Sequence, residues 1–260
     1  MTKVKDIIDA VCDFAPLSLQ ESYDNCGLQT GDPDMASTGA LLAVDMTEEV
    51  LDEAIALGIN TIITHHPLIF GGIKSVTPSH PAGRIVMRAV KHDIAIIAAH
   101  TNIDKAYHGV SYRMGEKLGL CDMRPLAEEG EGTGLGVVGR LPEVTAAEPF
   151  LYKIKEAFGC ECLRHTAISG DTVGTVALCG GSGASFINDA IEAGADIYVS
   201  ADFKYHDFFA ADGKITLADA GHFETERCTI EIFYDILTKK FTNFAVRRTS
   251  TYTNPVIYLH

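Results

Sequence analysis

The sequence predicts an α/β fold made of two similar domains, and two observations carry that prediction. Short apolar runs alternate with segments of helical periodicity along most of the chain. The second half then repeats the order of the first at a constant offset.

Val4, Ile7, Ile8 and Val11 share one face of an opening amphipathic helix. After the turn-rich Gly31-Asp32-Pro33-Asp34, residues 40–44 read as a strand, 48–57 as a helix and 61–64 as a strand. Residues 82–91 follow as a helix, 94–99 as a strand and 110–117 as a helix. The strands are near-continuous apolar runs, as parallel strands covered on both faces are, with right-handed crossovers between them. The glycine-rich run from Glu128 to Gly136 breaks the pattern. It neither follows a strand nor opens a helix, so it is no dinucleotide fingerprint and reads as a boundary. The domains expected are 1–128 and 129–260, with the last strand packing back on the first half.

The repeat sets Leu42-Ala43-Val44 against Leu178-Cys179-Gly180, residues 53–58 against 189–194, and Ile62-Ile63-Thr64 against Tyr198-Val199-Ser200. Gly58 and Gly194 fall at equivalent helix ends, where a left-handed cap suits glycine. An internal duplication accounts for this, and it predicts two like domains facing each other. Where the first copy carries His65-His66, the second carries Ala201-Asp202.

The 260 residues carry 21 basic and 35 acidic side chains, a net charge of −14. Such a surface argues against polymeric nucleic acid but not against a nucleotide held by metal ions. Lys239-Lys240 and Arg247-Arg248 are the one basic cluster. No run approaches the roughly 20 apolar residues of a membrane helix. The opening residues lack a signal-peptide core, so a cytoplasmic protein is expected. Seven cysteines with scattered spacing suit free, packed thiols in a reducing compartment.

Three apolar strands run directly into ligand-type residues: Thr61–Thr64 into His65-His66, residues 94–99 into His100 and Asp104, and residues 215–219 into His222, Glu224 and Glu226. Parallel α/β sheets bind ligands at these carboxyl ends, so the site is expected in the cleft between the domains. His222 and Glu226, four apart at a helix start, lie on one face. His65, His66, Asp104, His222 and Glu226 exceed the three protein ligands of a single catalytic zinc. Two divalent ions are therefore expected, zinc, manganese or iron being best suited to nitrogen and carboxylate donors. His100 reads either as a partner orienting a ligand or as an acid/base group beside the site. His80, His92, His108, His165 and His260 read as ordinary core or surface residues. Cys179-Gly180-Gly181-Ser182-Gly183 is either an anion contact at a helix start or a tight turn demanded by packing.

Residues 64–70 (Thr-His-His-Pro-Leu-Ile-Phe), 100–104 (His-Thr-Asn-Ile-Asp) and 221–226 (Gly-His-Phe-Glu-Thr-Glu) resemble, in order, the three signature motifs of the NIF3-like family, which includes the GTP cyclohydrolase 1 type 2 homologues. Residues 23–29, from Tyr23 and Asp24 to Gln29, are similar to a further family motif that usually begins with Trp. Residues 202–207 resemble another family segment and bring His206 toward the cleft. The resemblance implies a dinuclear centre on the same five ligands and a ring-shaped homohexamer. It also implies a small-molecule substrate, a nucleotide. The implied activity is opening of the guanine ring of GTP by metal-activated water, with release of formate and with His100 or Glu224 moving protons. Two alternatives stand beside it: a dinuclear phosphoesterase or nucleotide hydrolase, and a metal-binding, metallochaperone or regulatory scaffold without turnover.

Overall fold

Apolar runs of four residues, each fully buried, become the parallel strands of the first half. The computed structural model describes residues 1–130 and 132–259. In chain order it opens with α1 (Val4–Phe14), β1 (Gly27–Thr30), β2 (Ala40–Ala43), α2 (Glu48–Leu57), β3 (Thr61–Thr64), α3 (Pro81–Lys91) and β4 (Ala95–Ala98). There follow α4 (Thr101–Lys105), α5 (Val110–Leu118), β5 (Cys121–Gly130), β6 (Thr133–Ala146), α6 (Ala147–Phe158), β7 (Arg164–His165) and β8 (Thr172–Ser182). The rest comprises α7 (Ile187–Glu192), β9 (Ile197–Ala201), β10 (Thr216–Asp219), α8 (His222–Glu226), α9 (Thr229–Lys240) and β11 (Val246–Arg248). No described helix is long and apolar enough to cross a membrane.

The chain forms two units. One holds Met1–Ile103 and Thr229–Val256; the other holds Asp104–Cys228 and the residues from Ile257. In the first unit the strand order is β1-β4-β3-β2-β11. β2, β3, β4 and β11 run parallel and β1 antiparallel. Leu41, Ile62 and Ile96 stand in register across the sheet and pack with Val50, Leu51, Ile85 and Ala89 of the covering helices. Local chemistry sets the helix ends. The Thr47 hydroxyl accepts the Val50 N–H at the start of α2, and Gly58 (φ +67°) closes its end in the left-handed conformation. Pro81 occupies the first turn of α3, where a missing N–H costs nothing.

In the second unit the order is β5-β6-β8-β9-β10-β7. Strands β8, β9 and β10 are parallel, and β7 pairs antiparallel at the edge. Tyr198, Phe203, Ile215 and Leu217 centre its core. A strand, a helix, a glycine and a strand come in the same order in both units. β8, α7, Gly194 (φ +72°) and β9 repeat β2, α2, Gly58 and β3, and each sheet continues into a third parallel strand with an antiparallel edge.

One expectation is overturned. Residues 128–130 and 132–136 are no linker but part of an antiparallel hairpin, with Ala127 opposite Leu135 and Glu128 opposite Gly134. Glu131, within that run, and His260 lie outside the described residues. The glycines are there for close approach: a Cβ on Gly134 (φ +154°) would sit 2.0 Å from the Ala127 carbonyl oxygen. The 128/129 boundary therefore falls inside β5. The units instead divide at 103/104 and 228/229, because α9 and β11 return to the first. That return is the expected packing of the last strand, with Arg247 of β11 beside Leu41 of β2.

Candidate metal centre

The carboxyl end of β3 supplies the first two imidazoles. The backbone amides of His65 and His66 donate to the Val44 carbonyl, and the Thr64 hydroxyl donates to the His66 carbonyl. This turn brings two consecutive rings together, with centroids 4.9 Å apart, where an extended strand would splay them. His100, from the end of β4, closes the group at 5.2 Å from His65 and 5.4 Å from His66. One ligand nitrogen from each of the three lies within 4.8 Å of the others.

Each ring is held through Nδ1. His65 Nδ1 donates to the Ala99 carbonyl at 2.9 Å, His66 Nδ1 to Asp45 at 2.6 Å and His100 Nδ1 to Asp24 at 2.9 Å. A carbonyl or carboxylate can only accept, so Nδ1 carries the proton and Nε2 is the nitrogen suited to ligation. Burial and the neighbouring His65 push the His100 pKa down, while Asp24 opposes them. Burial would raise the Asp24 carboxyl. Hydrogen bonds from Thr101 and His100 outweigh it and hold that group well below the usual carboxylate range.

The second unit presents carboxylates. On α8, His222 Nε2 lies 3.0 Å from Glu226, and His222 Nδ1 donates to Asp202 at 2.7 Å. Burial lowers the His222 pKa, but the two carboxylates outrun it and push it up to about 11. His222 Nε2 and the Glu226 carboxylate converge at a place that suits a cation. Glu226 is pressed on β8: a Cβ on Gly181 (φ +62°) would lie 2.1 Å from its Oε1. Asp104, on α4, lies near the same strand. After burial, Asp104 and Glu226 are the charges that push the Cys179 thiol up to about 12. The donor set of imidazole nitrogens and carboxylates, braced from behind, fits a divalent transition metal.

The family model of Duf34/NIF3 (NGG1p interacting factor 3) matches residues 2–255. The chain belongs to the NIF3 family. A Clostridium perfringens protein named GTP cyclohydrolase 1 type 2 homolog is 35% identical over 232 residues, 86% of this chain and 87% of that one. A Streptomyces coelicolor protein of the same name is 36% identical, covering 87% of this chain and 82% of that one. Among solved structures, a Staphylococcus aureus hypothetical protein superposes with a TM-score of 0.91 at 28% identity, covering 99% of each chain.

Three further features of this NIF3-family chain are Glu224, the Gly180–Gly183 run and His206. Glu224 lies on α8 with its carboxylate near Gly221 and Cys160, whereas Glu226 faces Gly181 and Cys179. The amides of Gly180 and Gly181 donate to the Ser111 and Thr225 hydroxyls, so the Gly180–Gly183 run is a packing device and no phosphate cradle. His206 is exposed among Tyr205 and Phe209. The hollow of about 610 Å³ at Tyr205, Phe208 and Phe209 includes one imidazole, His165, and no carboxylate.

Sequence reasoning missed Asp24, Asp45 and Asp202. Asp45 and Asp202 follow β2 and β9 just as the histidines follow β3 and β4, so the strand-end rule could have found them. Asp24 lay inside the quoted motif of residues 23–29 without an assigned role.

Proposed function

We propose that this protein is a divalent-metal-dependent hydrolase acting on a nucleotide, with His65, His66, Asp104, His222 and Glu226 holding two ions. The observation that carries the reading is the common bracing of His65, His66 and His222. Each ring has its Nδ1 tied to a carbonyl or carboxylate, which orients Nε2 for ligation. Packing such imidazoles together is costly without a cation to bind them. When bound, a pair of divalent ions acidifies water and polarises the bond under attack.

The protein's own groups then divide the work. His100, oriented by Asp24 and kept neutral by burial, is the group suited to accept a proton from water and return it to a leaving nitrogen or oxygen. Glu224, whose carboxylate lies against Gly221 beside His222, is the second candidate for proton transfer. The relatives named GTP cyclohydrolase 1 type 2 homolog support GTP as the substrate and formate as the product. A homohexamer is the assembly we propose, checked by light scattering.

Elemental analysis of untagged protein, followed by parallel formate and phosphate assays with GTP, tests the reading. About two ions per chain and formate release are expected. Phosphate without formate makes it a nucleotide phosphoesterase, and tight metal with neither product makes it a scaffold. Less than one ion per chain after incubation with zinc, manganese and iron overturns the metallohydrolase.

A further inference from the structure

The first unit carries two exposed aromatic rings, one edge-on to the imidazole cluster and the other against the first. Phe70 stands edge-on to His100 with centroids 5.8 Å apart and planes at 80°. Tyr23 adjoins Phe70 at 6.2 Å and 62°. Tyr23 is 62% and Phe70 49% exposed, and the His100 side chain behind them is 18% exposed. Lone exposed apolar residues are common. This pair differs in being held in place from both sides. The Asn25 side-chain amide donates to the Ile69 carbonyl at 2.5 Å, and the Ile69 amide donates to Gln29 at 3.2 Å. Gln29 in turn donates to the Asn25 carbonyl at 2.7 Å. The segment bearing Tyr23 is thus stitched to the one bearing Phe70. Asp24, next to Tyr23, fixes His100. The motif of residues 23–29 thus orients the His100 imidazole, presents Tyr23 and ties down the segment that carries Phe70.

We propose that Tyr23 and Phe70 form an aromatic subsite that stacks a planar heteroaromatic ring, the base of a nucleotide, beside His100. The inference rests on the hydrolase reading in naming which part of the substrate this unit recognises. Two rings prefer edge-to-face or offset contact, and a T-shaped pair leaves ring face for a third partner. Stacking tolerates any base because each has a π-face. The subsite therefore selects heteroaromatic substrates as a class and leaves discrimination among bases to other groups.

The chain contains no tryptophan, so Phe70→Trp places a single fluorescent reporter in the subsite. With the full metal-loaded chain, guanosine and GTP should quench it saturably, and ribose 5-phosphate should not. Phe70→Leu keeps the apolar volume without the π-face, and calorimetry should show GTP binding about 5- to 100-fold weaker with unchanged metal content. Equal GTP affinity in wild type and Phe70→Leu, or equal quenching by ribose 5-phosphate, overturns the subsite. Guanosine quenching in a chain that holds no metal supports the subsite while the hydrolase reading fails. Normal metal content without guanosine quenching does the reverse.

Discussion

Replacing Gly181 by alanine should weaken metal binding by displacing Glu226. Two costs attach to the new methyl. The first is backbone strain: at φ +62° a Cβ carries the left-handed penalty of about 1–2 kcal/mol, offset by about 0.4–1 kcal/mol from the stiffer unfolded chain. The second is steric. The Cβ would fall 2.1 Å from Glu226 Oε1 and 3.3 Å from His222 Cε1, the first more than an ångström inside ordinary contact. The obstructing oxygen is the tip of a side chain, so Glu226 can swing away, but it is buried and gives up its partner when it does. Doing so takes its carboxylate out of the 3.0 Å contact with His222. Gly194 is the matched control, with φ +72° and nothing within 4 Å of a built Cβ. Urea unfolding of the metal-free proteins should show Gly194→Ala destabilised by about 0–1.6 kcal/mol and Gly181→Ala by more, since it also gives up the His222–Glu226 contact. Competition against a chromophoric chelator should show metal affinity about 10- to 100-fold weaker for Gly181→Ala alone. Wild-type metal affinity in Gly181→Ala would falsify the assignment of Glu226 as a ligand positioned by β8.

Three further outcomes are expected. Asp45→Ala removes the acceptor of His66 Nδ1 and should weaken metal binding by about 10- to 100-fold, read by the same competition, with a normal circular dichroism spectrum. Asp24→Asn removes the charge that opposes burial at His100, so the His100 pKa in metal-free protein should fall further, followed by the NMR shift of its ring proton. Glu53, on α2, accepts hydrogen bonds from Thr249, Ser250 and Thr251. Burial raises its pKa, but these bonds prevail and bring it down to about 2. A folded pKa below the unfolded value of 4.5 stabilises the protein fully above pH 4.5, and that stability is lost as pH falls toward 2. Glu53→Gln should cost about 1–2 kcal/mol at pH 7 and flatten the stability profile between pH 4.5 and 2. An unchanged profile would show that the carboxylate does not anchor the segment.

The strands and the histidine-rich strand ends were legible because burial and chemistry both leave one-dimensional traces. Ala95–Ala98 is apolar throughout since both faces of its sheet are covered, and His65-His66 stands out at the end of such a run. The hairpin at 121–146 was not legible, because its glycines answer to contacts across the sheet. Gly134 is required by Ala127, and Gly136 by the Leu178 carbonyl on another strand, 2.8 Å from a built Cβ. A local window reads those residues as slack when they are among the most confined in the unit. The same gap explains the missed carboxylates. A metal ligand announces its chemistry by residue type, whereas the group that aims it is an ordinary aspartate whose meaning depends on what it faces. Asp45 and Asp202 share the strand-end position of the proposed ligands and could be inferred by extending one rule to every parallel strand. For Asp24 no such rule exists, since it meets His100 from 76 residues away along the chain. Its role follows only from asking what holds each imidazole's second nitrogen, and that question can be put to any histidine cluster before a metal is known.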